Sequence, residues 1–337
     1  PPPPPPPPPF FLMIRRPPRS TQVVSSAASD VYKRHVWNFV KDQLDIFPQQ
    51  KFYVTEATKP AMDYFVNQTK AEVVYGIGGG LAIDTAKYVA ANLNKPLFAI
   101  PTVLSTDAFL TDATGVRING CVSYLASQSP DLVLVDIDLL CHAPTEMRTN
   151  GAADVLSIAT GMWDWQYAQN KGKNLPNQMI EPHVVEIGNA ILGTLIKNAK
   201  EIGSGTANGM KVLFDLLCLE VQLCYLCGHS RLEEGSEHHF VYSLENSLTE
   251  HILHGDLVGL GVLLMSALQG QEWKPYRQTL KQLGINYQPA GVTEEMIIDT
   301  LIGLSTYVKK HQLPHTIATD CDINTDLAIK TLEKVLS

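Results

Sequence analysis

Asp154, His238 and His254 are the side chains of this sequence best suited to binding a transition metal. Asp154 follows Asn-Gly-Ala-Ala, His238 lies in Gly-Ser-Glu-His-His-Phe, and His254 lies in Leu-His-Gly-Asp. One carboxylate and two neutral imidazoles form a ligand set for Zn²⁺ or Fe²⁺ that leaves a coordination position open. Because each residue falls on a different predicted helix, the sequence leaves open whether they converge or are ordinary helical side chains.

The segment AEVVYGIGGGLAIDTAK, residues 71–87, has the pattern of a phosphate-binding turn. A short apolar run is followed by glycines at 76 and 78–80 and then by a helical pattern, in which Asp84 and Lys87 are the polar positions. The N–H groups and the positive end of a helix suit the pyrophosphate of a dinucleotide, and glycine lets the backbone approach it. The glycines alone are equally consistent with a tight turn that binds nothing.

The composition indicates a globular protein that binds neither nucleic acid nor membranes. The chain has 337 residues, enough for two domains, with 45% apolar residues, 18% charged residues and a net charge of −8. This negative charge argues against a nucleic-acid or anionic-membrane surface, and no apolar run approaches the ~20 residues of a membrane helix. The C-x-x-C at 224–227 lies in a helical run, which favours reduced, buried thiols and a cytoplasmic location over a zinc knuckle or a redox pair.

Strand and helix patterns alternate up to about residue 145 and then give way to helices alone. This order predicts a dinucleotide-binding α/β domain at 35–148 with a mostly parallel, doubly wound sheet, and a helical domain at 149–337. The first domain contains predicted strands at 51–55, 73–75, 97–100 and 131–136, helices at 36–46 and 58–68, a polar loop at 102–114 and a hairpin around Asn119-Gly120. The second contains predicted helices at roughly 145–170, 181–200, 209–228, 236–248, 255–270, 273–284, 293–311 and 324–336.

Residues 1–34 do not have the pattern of a folded domain. They begin with nine prolines and continue with a short apolar piece and a polar, arginine-containing stretch. The apolar piece is too short for a signal-peptide core. The stretch resembles a translated sequencing adapter fused to a truncated reading frame, so we expect it to be non-native and disordered, with the true N-terminal sequence missing.

Five motifs in a fixed order carry a family resemblance. Together they resemble the sn-glycerol-1-phosphate dehydrogenases, within the superfamily of iron-containing alcohol dehydrogenases, glycerol dehydrogenases and dehydroquinate synthases. The resemblance covers residues 35–337, and five ordered blocks are far more specific than any one of them. The blocks are GIGGGLAIDTAK, IPTVLSTDAF, NGAADVLSIATGMWDWQYAQ, GSEHHF and LHGDLVGLG.

The resemblance implies a Rossmann-like N-terminal domain, here lacking its first strand, then an all-α C-terminal domain, with the active site in the cleft between them. It implies a metal held by Asp154, His238 and His254, with zinc preferred and iron the alternative. Asp107 and Tyr242 would act in catalysis, and both would contact substrate together with Asp154. The implied contacts to NAD or NADP are Gly78, Gly79, Gly80, Leu81, Ala82, Ile83, Asp84, Thr102, Ser105 and Thr111.

The activity implied by the resemblance is the metal-dependent, NAD(P)H-linked reduction of dihydroxyacetone phosphate to sn-glycerol 1-phosphate. The partner is then a small phosphorylated triose, and the family is usually homo-oligomeric. Arg231 is a candidate for binding the substrate phosphate, with a surface role as the alternative. The proton could come from a bound water, from Tyr242 or from a ribose hydroxyl.

Several positions depart from the family pattern and leave other activities open. Tyr242 replaces a usual histidine, and Ser-Thr-Asp-Ala at 105–108 is closer to glycerol dehydrogenase. Glu233 and Glu234 would repel a phosphate if they faced it. The alternatives are therefore a glycerol or polyol dehydrogenase, a dehydroquinate synthase-like lyase, and a catalytically dead homologue.

Overall fold

The computed structural model describes residues 10–13, 26–27, 48–118, 121–248 and 251–336. The chain divides into two compact units between Ala143 and Pro144, five residues before the boundary expected from the sequence, and each unit is described by itself below.

A six-stranded, fully parallel sheet forms the centre of the first unit, with the strand order β1-β8-β5-β4-β2-β3. All five residues of β4 are buried, as expected for a parallel strand that is covered on both faces. The strands are β1 (Phe10–Met13), β2 (Ser26–Ala27), β3 (Lys51–Phe52), β4 (Val74–Gly78), β5 (Leu97–Pro101) and β8 (Leu132–Val135). The accompanying helices are α1 (Lys59–Gln68), α2 (Gly80–Leu93) and the short α3 (Ile137–Cys141).

The predicted hairpin is present as a separate two-stranded antiparallel sheet. It pairs β6 (Ala113–Ile118) with β7 (Cys121–Ala126), and the Asn119-Gly120 turn lies outside the described residues. The polar loop runs from β5 to β6. It is the segment that connects the sheet to the hairpin, and it carries the predicted cofactor contacts at 102, 105 and 111.

Two short segments of residues 1–34, a stretch expected from the sequence to lie outside the fold, pair with the sheet of the first unit. Phe10–Met13 pairs in parallel with Leu132–Val135, and Ser26–Ala27 lies between β3 and β4. The physical reason is the open edge of β8, whose unpaired backbone groups accept an apolar strand of matching length. The remaining residues up to 47, including the predicted disorder and the predicted helix at 36–46, lie outside the described residues.

The second unit is helical throughout its described residues, 144–248 and 251–336, which confirms the predicted change from α/β to all-α structure. Helix α9 is buried along nearly its whole length and packs against both α5 and α8. The helices are α4 (Thr145–Arg148), α5 (Ala152–Asn170), α6 (Pro182–Gly203), α7 (Ala207–Cys227), α8 (Ser236–Glu245), α9 (His254–Leu268), α10 (Lys274–Leu283), α11 (Glu294–Lys310), α12 (Ile317–Asp320) and α13 (Thr325–Leu336). Among the described residues, no helix has the length and apolar character needed to cross a membrane.

Candidate functional site

The first turns of three helices bring the predicted metal ligands together in the second unit. Asp154 lies in the first turn of α5, His238 is the third residue of α8, and His254 begins α9. One ligand atom from each residue lies within 4.8 Å of the others, and the His254 Nε2 to Asp154 Oδ1 distance is 3.4 Å. The structure therefore supplies the convergence that spacing along the chain could not establish.

The chemistry of this cluster fits a divalent cation. Asp154 is buried, and its Oδ1 makes no hydrogen bond of good geometry among the described residues, where the His254 ring nitrogen lies 3.4 Å away. A buried carboxylate oxygen without a donor costs on the order of 1–3 kcal/mol, so proteins rarely leave one unless an ion or a reaction uses it. A metal at the point shared by the carboxylate and the two imidazoles would satisfy that oxygen, in the ligand set preferred by zinc.

The electrostatics of the cluster also favour positive charge. Burial lowers the pKa of His238, but the hydrogen bond to Glu237 and the Glu237 charge outweigh it and raise the pKa to about 9. Burial likewise lowers the pKa of His254, whereas the contact with Asp154 raises it, and the net shift is upward. The acidic groups that stabilise a proton on these imidazoles would equally stabilise a divalent cation bound between them.

Glu237 is a further candidate site residue, which the sequence alone did not indicate. Its Oε1 lies 2.9 Å from His238 Nδ1 and accepts a 2.6 Å hydrogen bond from Gly235 N. Because Nδ1 of His238 faces this carboxylate, Nε2 is the nitrogen left to bind a metal. Carboxylates that orient a metal-binding histidine in this way are common. The sequence feature that could have indicated this role is the position of the glutamate directly before His238.

We expect Glu237→Gln to weaken zinc binding by about 10–100-fold, the usual effect of removing such a carboxylate. The amide keeps the size of the side chain but loses the charge that aligns His238. Competition with a chromogenic chelator measures the affinity, and Glu186→Gln, at an exposed position on α6, is the control. Equal zinc affinity in Glu237→Gln and the control would show that Glu237 does not support the ligand.

Asp164 fixes the start of the helix that carries His238. Its Oδ2 accepts hydrogen bonds from Ser236 N and Ser236 Oγ, at 2.8 and 2.5 Å, and its Oδ1 accepts one from Ile317 N at 2.8 Å. Burial, followed by the charge of Glu237, raises the pKa of Asp164 to about 7. This carboxylate ties α5 to the first turn of α8 and so holds His238 in place relative to Asp154.

Tyr242 and Glu234 line a small cavity beside the metal ligands. The cavity has a volume of about 100 Å³ and is lined by Gln178, His229, Ser230, Arg231, Glu234, His239, Tyr242, Leu313 and Pro314. The Tyr242 ring lies 6.0 Å from the His238 ring, and its hydroxyl donates a 2.8 Å hydrogen bond to Glu234 Oε1. Glu234 thus lines the cavity, where its negative charge would repel a phosphate.

Arg231 is a buried residue rather than a surface one, which corrects the alternative considered from the sequence. Its side chain is 3% exposed and donates a 2.8 Å hydrogen bond to His315 O. Its Nε has no acceptor among the described residues, although the residue lines the cavity. The guanidinium therefore makes structural contacts, while the residue contributes a positive charge to the wall of the cavity.

His239 gives the second unit a predicted sensitivity to acid. Burial, then the nearby Arg231 charge, lowers its pKa from 6.5 to about 3. Between these values the unfolded chain binds a proton more readily than the folded chain, so the free energy of unfolding falls as the pH drops through this range. Zinc-free His239→Gln should therefore lose less stability than zinc-free wild type between about pH 6.5 and pH 4, as measured by urea unfolding. Equal losses in the two proteins would contradict this assignment.

The glycine turn of the first unit joins β4 to α2. Gly78 has a φ of +143°, a backbone conformation that other residues rarely adopt. A Cβ added at Gly79 would lie 3.0 Å from Val103 Cγ1, and one added at Gly80 would lie 3.0 Å from Thr106 Oγ1. The loop after β5 therefore packs directly against the turn, and the hydrogen bond from Thr102 N to Gly78 O, at 3.1 Å, connects the two.

The predicted cofactor contacts occupy different environments around this turn. Thr102 and Ser105 lie in the adjacent loop, and a Cβ at Gly79 would lie 3.6 Å from Ser105 Oγ. The Ala82 and Ile83 side chains are buried in the core, and their N–H groups donate to Gly79 O at 3.1 and 3.2 Å. Leu81 is partly buried against the same core. Asp84 and Thr111 are half-buried and both contact Lys87, whose Nζ lies 2.8 Å from Asp84 Oδ1 and donates to Thr111 Oγ1. Asp107, predicted to act in catalysis and to contact substrate, is half-buried in the same loop, and its backbone O accepts from Leu110 N.

Comparison with known proteins relates this chain to dehydrogenases. Residues 16–144 match the family described as iron-containing alcohol dehydrogenase. The glycerol-1-phosphate dehydrogenase [NAD(P)+] of Nitrosopumilus maritimus (strain SCM1) is 29% identical over 239 residues, which are 70% of this chain and 66% of that protein. The chain thus aligns with slightly less than two-thirds of the length of this relative. Further curated relatives with the same name are 26–28% identical.

Solved structures share the fold at low sequence identity. A probable glycerol dehydrogenase from Sinorhizobium meliloti 1021 superposes with a TM-score of 0.70 at 16% identity, covering 94% of this chain and 90% of that one. The 2-epi-5-epi-valiolone synthase ValA from Streptomyces hygroscopicus subsp. jinggangensis 5008, solved with NAD+ and Zn2+ bound, gives a TM-score of 0.67 at 16% identity, covering 97% of this chain and 96% of that one. This chain is therefore similar to the iron-containing alcohol dehydrogenases over residues 16–144 and, along most of its length, to curated glycerol-1-phosphate dehydrogenases.

Proposed function

We propose that this chain reduces dihydroxyacetone phosphate to sn-glycerol 1-phosphate, using NADH or NADPH and one divalent metal. The observation that carries the proposal is the cluster of Asp154, His238 and His254, whose ligand atoms lie within 4.8 Å of one another. The curated relatives named above support the choice of reaction. Zinc is the preferred metal, and iron is the alternative with the same ligands.

The chain's own residues have distinct tasks in this reaction. When bound, the metal supplies Lewis-acid polarisation of a substrate carbonyl, and the nicotinamide supplies a hydride. Asp154, His238 and His254 hold the metal, and Glu237 keeps the His238 ring in the binding orientation. The Tyr242 hydroxyl, hydrogen-bonded to Glu234, can pass a proton to the product oxygen. Asp107 is assigned to the substrate hydroxyls.

The cofactor is assigned to the first unit. The backbone at Gly78, Gly79 and Gly80 and the start of α2 would hold its pyrophosphate, because a helix N-terminus offers N–H donors and a positive potential. Thr102, Ser105 and Thr111 lie in the loop between β5 and β6, which packs on this turn. The remaining predicted contacts are Leu81, Ala82, Ile83 and Asp84. They form the first turns of α2 and so set the position of the helix N-terminus that would bind the pyrophosphate.

A glycerol or polyol dehydrogenase is the second candidate, because Glu234 faces the cavity beside Tyr242. A carboxylate there would accept hydrogen bonds from substrate hydroxyls and would disfavour a phosphate dianion. The Arg231 guanidinium in the same wall acts in the opposite direction and supports the first candidate.

The two candidates are separated by following NADH oxidation by zinc-reconstituted protein with dihydroxyacetone phosphate and with dihydroxyacetone. The proposal predicts a higher kcat/KM for the phosphorylated substrate. A preference for dihydroxyacetone would favour the polyol dehydrogenase. Phosphate release without NADH consumption would favour a lyase, and zinc binding without any turnover would favour an inactive homologue.

We also propose that the protein acts in the cytoplasm as a homo-oligomer. Both assignments rest on the composition and on the family resemblance. Light scattering coupled to size-exclusion chromatography tests the second, and a mass equal to one chain would refute it.

A further inference from the structure

Lys87 is a fully buried lysine that the reaction itself does not use. Its side chain has no solvent exposure, and its Nζ lies 2.8 Å from Asp84 Oδ1. Nζ also donates to Ala108 O at 2.8 Å, to Thr111 Oγ1 at 3.2 Å and to Ala113 O. Lysine is almost never fully buried unless its charge is paired, so the Asp84 carboxylate and these three acceptors must offset a considerable desolvation cost.

The acceptors around Lys87 belong to one continuous segment of the first unit. Ala108 and Thr111 lie in the second half of the polar loop between β5 and β6, and Ala113 is the first residue of β6. Asp84, three residues before Lys87 on α2, accepts a 3.2 Å hydrogen bond from Gly115 N on β6. The second and third turns of the helix that begins at the glycine turn therefore hold the segment 108–115 on one side of that helix.

We propose that Lys87 is a positioning residue for the nicotinamide cofactor. By tying residues 108–113 to α2, it fixes the adjoining loop, with Thr102 and Ser105, against the glycine turn from which that helix starts. The inference rests on the proposed cofactor site. It adds a residue that touches neither cofactor nor substrate and acts through the loop.

The test compares Lys87→Met with the wild type. Methionine retains the apolar length of the side chain but donates no hydrogen bonds, so the loop loses its anchor. Dissociation constants for NADH, measured by fluorescence titration of folded protein, should rise about tenfold or more, the effect expected for losing charged hydrogen bonds. Amide hydrogen exchange at 108–115 should speed up in the cofactor-free protein. Zinc affinity should stay within about twofold, because the ligands belong to the other unit.

Lys95→Met is the matched control. Lys95 pairs with Glu72 at 3.1 Å, and the Glu72 side chain is 87% exposed, so this pair should contribute little. Lys87→Gln, which keeps one donor group, serves as a milder variant if Lys87→Met does not fold.

The possible outcomes separate the proposal from a purely structural role. A structural lysine would lower the melting temperature and the folded fraction but leave the NADH dissociation constant of the folded protein unchanged. Folded Lys87→Met or Lys87→Gln with wild-type NADH affinity would therefore overturn this inference while leaving the proposed function intact. Wild-type protein that binds neither NADH nor NADPH would overturn both.

Discussion

Replacing His238 with alanine is expected to abolish stoichiometric zinc binding and to lower the reduction of dihydroxyacetone phosphate by about a hundredfold to a thousandfold. His238 is buried, and it is one of three side chains that can hold the metal. Without it, Asp154 and His254 offer two ligands, fewer than the three protein ligands typical of catalytic zinc sites. The loss corresponds to the several kcal/mol that Lewis-acid polarisation contributes to such reactions.

Zinc content per chain and the steady-state rate of NADH oxidation are measured on the same preparation of His238→Ala. The matched control is His183→Ala, because His183 is on the exposed surface of α6, with 59% of its side chain accessible. The control should retain wild-type zinc content and rate. One zinc per chain together with an unimpaired rate in His238→Ala would remove this histidine from the metal site.

Replacing Gly255 with alanine is expected to destabilise the protein by about 1–3 kcal/mol or more and to weaken zinc binding as well. A Cβ at this position would lie 2.0 Å from Asn150 O and 2.6 Å from Asn150 Oδ1, and the first of these is a backbone atom that cannot rotate away. The start of α9 would have to move, and His254 is the adjacent residue. The same movement would strain the hydrogen bond from Gly255 N to Asn150 Oδ1, at 2.6 Å.

The effect of Gly255→Ala is measured by urea unfolding of the zinc-free protein and by chelator competition for zinc. Gly303→Ala is the matched control, because Gly303 lies within α11 and a Cβ there would meet no atom within 4 Å. Alanine should stabilise that helix by up to about 1 kcal/mol. If Gly255→Ala unfolds at the same urea concentration as wild type and binds zinc equally well, then the contact does not constrain α9.

The helical half of the fold could be predicted closely because local periodicity determines it. The helix expected at 293–311 is found at Glu294–Lys310, and the one expected at 181–200 is found at Pro182–Gly203. Both have regularly spaced apolar positions and begin with residues that favour a helix start, Thr293 as an N-cap and Pro182 in the first turn. Such signals are contained within the segment itself.

Strand pairing across long distances could not be predicted in the same way. Phe10–Met13 joins the sheet because β8 has an open edge. That edge lies more than 100 residues further along the chain, so the sequence of the first 34 residues could not indicate the pairing. The full burial of Lys87 and the partial burial of Asp84 were also unforeseen, since their spacing alone suggested a polar helix face. The segment 108–115 covers that face and provides acceptors for the lysine.

The candidate metal site could be predicted in part from the sequence. The residue types of Asp154, His238 and His254 indicated a metal site, and the family resemblance joined them, but only the fold brings three helix starts to one point. Glu237 was missed because its role depends on which ring nitrogen of His238 it faces, and this is a property of the folded structure.

Titration of metal-free protein with zinc, while NADH oxidation is followed with dihydroxyacetone phosphate as substrate, tests the central claim most directly. A single site formed by Asp154, His238 and His254 predicts that the rate rises linearly and reaches a plateau at one zinc per chain. It also predicts that the variant lacking His238 shows no such rise. A substrate-dependent rate that is independent of zinc, or stoichiometric zinc binding with no consumption of NADH, would contradict the account.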